Sequence, residues 1–122
     1  MIGRLTTHVL DLSEGKPAAG MRVQLFSLPE EGSATLLKDS LTNHDGRLEQ
    51  ALLEGEALKA GVYELVFWAG EYFALGVEND FRDRVDAFLG LIPVRFKVTD
   101  PSANYHVPLL AAPGGYSTYR GS

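Results

Sequence analysis

Apolar and polar positions alternate with period two over several short stretches, the pattern of strands with one buried face. From Leu91 to Val98 it is clearest: Ile92, Val94, Phe96 and Val98 take one face, Arg95 and Lys97 the other. Between Val62 and Ala69, Tyr63, Leu65 and Phe67 share a face, with Glu64 opposite. Met21, Val23 and Leu25 alternate with Arg22 and Gln24, and Ala34 to Leu41 reads as a further strand. Asn43-His44-Asp45-Gly46 carries a turn signal, because Asp-Gly readily supplies positive φ. Arg47 is expected to open the next short strand. The 13 Gly and 6 Pro divide the chain into short pieces. Seven or eight strands at near-regular spacing predict an all-β sandwich or barrel. Glu71 to Asp86 dissents, being charged and mixed, and its start predicts one short helix.

At 122 residues the chain suits a single domain spanning 1–122. A core of that size has a limited margin, so oligomerisation adds stability. The formal net charge is −5, from 11 basic and 16 acidic residues. That balance argues against a nucleic-acid partner, which needs a basic footprint. Cysteine is absent, which removes disulfides, thiolate metal sites and a cysteine nucleophile. The same absence fits a reducing compartment, and a cytoplasmic location is expected. No apolar stretch has the length of a membrane span or the form of a signal peptide, so no membrane partner is expected. Gly-rich phosphate loops and the G-x-S-x-G elbow are missing as well.

Three histidines remain as candidate chemistry. In Arg4 to Asp11, Leu5, Thr7 and Val9 share one face, and His8 points the other way beside Thr6 and Leu10. In Asn104 to Leu110, Tyr105, Val107 and Leu109 share a face, and His106 points opposite. Both imidazoles therefore avoid the apolar core faces. The bland account of a lone strand histidine is a solvated or hydrogen-bonded side chain. His44, beside the Asp-Gly turn, reads as a surface residue. A zinc site wants three or four ligands at coordinating spacing, and nothing of that form occurs, so no metal is expected. Residues Tyr116 to Ser122 are strand-like and aromatic. Chain ends fray unless tied down, so this segment is either placed in a site or is an edge strand that stops; the residues alone leave both open.

Three separated motifs carry a resemblance. They are Leu5-Thr6-Thr7-His8-Val9-Leu10-Asp11 followed by Gly15-Lys16-Pro17-Ala18, then Thr42-Asn43-His44-Asp45-Gly46-Arg47, and finally Tyr105-His106-Val107-Pro108-Leu109-Leu110 with Tyr116-Ser117-Thr118-Tyr119-Arg120-Gly121-Ser122. Together they resemble the 5-hydroxyisourate hydrolases, also called transthyretin-related proteins, over essentially the whole chain. Gly61 to Leu65 and Tyr72-Phe73 fit that family's middle strands. The resemblance implies a transthyretin-like sandwich of two four-stranded sheets with one short helix. It also implies a homotetramer, a dimer of dimers, with sites in a channel where dimers meet.

By the same resemblance His8, Arg47 and His106 are catalytic, and Tyr119, Arg120, Gly121 and Ser122 bind substrate. The implied reaction opens the six-membered ring of 5-hydroxyisourate by water attack on a cyclic amide, without cofactor. Histidine suits the proton steps because its ordinary pKa of about 6.5 lies near working pH. Arginine stays charged and offers a planar fork of donors for developing negative charge. His106 is expected to be the base and His8 its orienting or proton-returning partner, the reverse being open. The chain departs from the family pattern at Asn104, where histidine is frequent, at Ala112, where serine is frequent, and at the flexible Gly114-Gly115. Two rivals stand beside this reading. A transthyretin-like carrier would hold an aromatic ligand in the channel without catalysis, and has no need of both histidines with the final tetrapeptide. An immunoglobulin-like interaction module would leave those residues as accidents.

Overall fold

Each strongly alternating stretch forms a strand. The computed structural model describes residues 2–75 and 87–122. The remainder of the charged stretch, residues 76–86, lies outside the described residues. The strands are β1 (Arg4–Asp11), β2 (Lys16–Pro17), β3 (Arg22–Ser27), β4 (Thr35–Leu41), β5 (Leu53–Glu54), β6 (Gly61–Phe67), β7 (Ile92–Val98), β8 (Tyr105–Ala112) and β9 (Gly115–Thr118). One α-helix, α1 (Ala69–Leu75), follows β6. It contains Tyr72 and Phe73, which the family resemblance assigns to the middle strands. Phe73 packs into the core from the helix while Tyr72 reaches β1, a division that helical spacing allows and strand alternation equally mimics over two residues.

Two sheets make the sandwich. One has the order β4-β3-β6-β7, antiparallel throughout. The other has the order β2-β1-β8-β9, with the two-residue β5 also pairing β1. Its central pair, β1 with β8, runs parallel, with Leu5 opposite Tyr105 and Asp11 opposite Ala111. The inner faces meet in a core that includes Leu5 and Val9 of β1, Val23 and Leu25 of β3, Leu65 and Phe67 of β6, and Leu109 of β8, all fully buried. Burying one such side chain stabilises the fold by about 1.5–3 kcal/mol. β4 is a strand as expected, yet each of its residues is exposed, so it extends the sheet without covering core.

Buried polar groups in the strands are paired. Thr7 donates its hydroxyl to the Val107 carbonyl at 2.7 Å, tying β1 to β8 from the core side. Asp11 ends β1 as a buried hub. Its Oδ1 accepts the Ser13 hydroxyl at 2.6 Å and the Ser13 amide at 2.9 Å, and its Oδ2 accepts the Tyr72 hydroxyl at 2.7 Å. Burial, and then the bond to Asp11, push the Tyr72 phenol well above its ordinary value, so it remains a donor at any working pH. This bond joins α1 to the sheet that carries both strand histidines.

Tyr72→Phe strands one carboxylate oxygen of a buried Asp11. The expected cost is about 1–3 kcal/mol, the range for leaving a buried polar group unsatisfied, read by urea denaturation. A midpoint equal to that of the wild type would contradict the role given to this bond.

Candidate functional site

Parallel pairing sets His106 opposite Thr6 and His8 opposite Pro108. Both histidines occupy even positions of the ladder and lie on the outer face of the sheet, each half-buried. Two residues of offset on adjacent strands put their Cα atoms roughly 8 Å apart by strand geometry. Nearly a hundred residues of chain separate them, so the convergence is wholly a product of β1 lying beside β8.

Arg47 joins from the opposite side of β1. It does not open a strand; it forms a single antiparallel bridge with His8. The cause is the preceding turn. Gly46 has φ 76° and lies so close to Val9 that a Cβ would collide with the Val9 carbonyl oxygen. Its own carbonyl accepts the Val9 amide at 2.8 Å. The Asn43 side chain closes the turn by accepting the Asp45 amide at 2.9 Å and the Arg47 amide at 3.2 Å. The chain is thus folded back onto β1 at one point, and pairing resumes only at β5.

The two imidazoles are anchored differently. His8 Nε2 lies 2.9 Å from the Asp45 carbonyl oxygen. A carbonyl only accepts, so Nε2 carries the proton and Nδ1 holds the lone pair in the neutral ring. His106 Nδ1 lies 2.8 Å from the Thr6 hydroxyl. Desolvation, then the Arg47 charge, then His8 lower the His106 pKa below its ordinary value. A neutral, lone-pair-bearing ring at neutral pH results. His44, by contrast, is a surface side chain, 3.7 Å from Asp45 and 89% exposed.

The final tetrapeptide is divided. After β9 the chain returns to the same sheet, where Gly121 bridges His106 and donates its amide to the His106 carbonyl at 2.7 Å. Arg120 turns elsewhere. Its guanidinium stands 4.3 Å over the Tyr105 ring and donates to the Asn104 carbonyl at 3.2 Å. Tyr119 and Ser122 are exposed. Within one chain the structure therefore gathers His8, Arg47, His106 and Gly121, and leaves Tyr119, Arg120 and Ser122 at the margin. Thr6 is the contact that sequence reasoning passed over. Its period-two relation to His8 was visible; its register with His106 was not.

The cluster supplies a basic nitrogen, a second imidazole and a fixed cation on an open sheet face. That set suits proton removal from water beside a developing oxyanion. Among the described residues, no three His, Asp or Glu side chains come together as a metal site. A cavity of about 300 Å³ beside β4, lined by residues including Lys38, Glu49 and Leu52, has no histidine in its lining.

Comparison with known proteins identifies a family for the chain. The family model described as HIUase/Transthyretin family matches residues 5–121. A 5-hydroxyisourate hydrolase of Halalkalibacterium halodurans is 53% identical over 122 residues, covering all of both chains. A solved structure of (S)-allantoin synthase is 44% identical with a TM-score of 0.86; it covers 99% of this chain, which spans 44% of that longer one. The solved 5-hydroxyisourate hydrolase of Klebsiella pneumoniae is 35% identical with a TM-score of 0.78, covering 98% of this chain and 99% of its own.

Because Arg47 opposes protonation of His106, Arg47→Gln is expected to raise the His106 pKa toward about 6.5, read by NMR titration of the ring. A pKa that stays put or falls would contradict the electrostatic account. The sign for stability follows from linkage. With the folded pKa below the unfolded one, stability is retained above about 6.5 and declines as pH falls through the folded pKa.

Proposed function

The chain belongs to the HIUase/Transthyretin family, and from that premise we propose that it hydrolyses 5-hydroxyisourate, using His8, Arg47 and His106 as its catalytic set. The observation that carries this reading is the meeting of two imidazoles and a guanidinium on one face of the β1–β8 pair. The chemistry is that of a cyclic amidase in urate breakdown. His106 takes a proton from water, and the water oxygen bonds to the ring carbonyl carbon. Negative charge develops on the carbonyl oxygen, where Arg47 stabilises it. The carbon–nitrogen bond then breaks, and the proton taken by His106 passes to the leaving nitrogen, with His8 as orienting or relaying partner. The new carboxyl group ionises, leaving a ureido-imidazoline carboxylate. Both rings return to their starting state, and no cofactor or metal takes part in this scheme.

An open sheet face does not exclude water by itself, and catalytic pockets are usually concave. A facing copy is proposed as the second wall, and the family resemblance makes the proposed assembly a homotetramer, a dimer of dimers. Tyr119, Arg120, Gly121 and Ser122 border the substrate in that assembly. A cytoplasmic setting goes with the cysteine-free composition. Among the described residues no helix is long and apolar enough to cross a membrane. A non-catalytic carrier of an aromatic ligand would have no use for a lowered His106 pKa beside Arg47.

The direct assay makes 5-hydroxyisourate from urate with urate oxidase and follows its decay by ultraviolet absorbance. Added protein is expected to speed the decay; a rate equal to the spontaneous one would overturn the reading. His106→Ala is expected to fold and assemble normally while turnover drops about 10²-fold or more, the scale of general-base loss. An unfolded variant would make the histidine structural instead. Light scattering is expected to give four times the chain mass, and a stable monomer with full activity would contradict the assembly.

A further inference from the structure

The His106 ring is held at two points that the proton steps above do not use. On one side, the Thr6 hydroxyl meets Nδ1 at 2.8 Å from the neighbouring strand, at the very register position opposite His106. On the other, the backbone of Gly121 lies against the ring. A Cβ there would come within 2.6 Å of His106 Cδ2 and 3.2 Å of Cγ. Real Cβ contacts do not approach so closely, so any side chain at 121 would push the ring off its place. Gly121 cannot simply withdraw, because its amide is bonded to the His106 carbonyl at 2.7 Å.

The two contacts distinguish the edges of the imidazole. Turning the ring over would put a carbon against the Thr6 hydroxyl and a polar nitrogen against the Gly121 methylene, losing the hydrogen bond and gaining nothing. Nδ1 is thereby assigned to Thr6. Nε2 has no protein partner among the described residues and stays available on the outer face of the sheet.

We infer that Thr6 and Gly121 are positioning residues for His106: the Thr6 hydroxyl accepts a proton-bearing Nδ1, the bare Gly121 admits the ring, and Nε2 is left with its lone pair outward. The inference rests on the reading of His106 as the base and adds how that base is kept ready. A histidine tautomer is set by the bond its other nitrogen makes. Imidazole left to itself in water carries its proton mainly on Nε2, the form useless to a base working through that atom. A Thr6 hydroxyl that accepts from Nδ1 reverses this preference, whereas one that donated to Nδ1 would enforce it, and the ring-nitrogen signals separate the two. The titratable and charged groups facing His106 keep the ring neutral without choosing between its nitrogens. They are His8 from β1 and Arg47 from the turn after Asn43, both of which oppose a second proton on the ring. Arg120, next to Gly121, has its guanidinium occupied over Tyr105.

The test is a long-range proton–nitrogen NMR correlation on the uniformly labelled full chain, without substrate, above the His106 pKa. The wild type is expected to show Nδ1 protonated and Nε2 bare. Thr6→Val is expected to move the proton toward Nε2 and lower kcat about 10-fold or more at little-changed KM, a loss on the scale of a disabled base. Thr6→Ser is expected to restore both the ring signals and most of kcat. Gly121→Ala is expected to fold, shift the His106 ring signals and lower kcat likewise. A wild-type ring protonated on Nε2, or a Thr6→Val protein with unchanged ring signals and unchanged kcat, would overturn the inference. The wild-type spectrum decides even where Thr6→Val fails to fold. The ring signals need no turnover, so an inactive wild type with the expected tautomer would sink the hydrolase reading and leave the positioning intact.

Discussion

The parallel pairing of β1 with β8 is the constraint from which the rest follows. It fixes Thr6 opposite His106 and places His8 two residues further along the same face. A one-residue slip in this ladder would turn every odd-numbered side chain of β1 out of the core, and with it remove His8 from the outer face. Register is thus held by the core itself. Leu5, Val9 and Leu109 are fully buried, and Thr7 adds a hydrogen bond across the pair at 2.7 Å. The apolar side of the ladder enforces the polar side. Placing a site opposite a core-facing ladder gives precision that a loop would not, because a one-residue slip would expose the core face.

Around that ladder, two irregular pieces are pinned to make the outer face chemically useful. The Asn43–Arg47 turn depends on Gly46, where positive φ and contact with β1 leave no room for a side chain. The returning segment after β9 depends on Gly121 for a similar reason, with His106 as the neighbour. In both places a missing Cβ lets backbone come close enough to hydrogen-bond to a central strand. The outcome is a guanidinium and two imidazoles within mutual electrostatic reach, with His106 desolvated enough to stay neutral. Arg120 takes the other direction, onto Tyr105, so the cationic character of the face in one chain comes from Arg47.

Much of this was legible before any coordinates. Period-two alternation named the inner faces of β1, β3, β6, β7 and β8, and it put His8 and His106 on the outer side. What alternation does not encode is which strands are neighbours. Two histidines about a hundred positions apart are equally compatible with opposite edges of the sandwich. Their meeting rested on family resemblance until the sheet order was known. Other differences have local causes. Arg47 pairs at one residue because the Gly46 turn aims the chain across β1 instead of along it. β4 alternates too weakly for any face to be named, and it is exposed throughout. Tyr72 and Phe73 belong to α1, which two adjacent aromatics could not reveal because they carry no periodicity. Thr6 escaped notice because a threonine in a strand is ordinary until its partner is known.

The central claim is that His8 and His106 act as one catalytic unit. A double-mutant cycle on kcat/KM tests it most directly, with His8→Ala, His106→Ala and the pair together. Groups that share one proton path are grossly non-additive. The double variant is expected to lose scarcely more activity than the more damaged single one. A double variant whose loss equals the product of the two separate losses would show two independent side chains, and would contradict that claim.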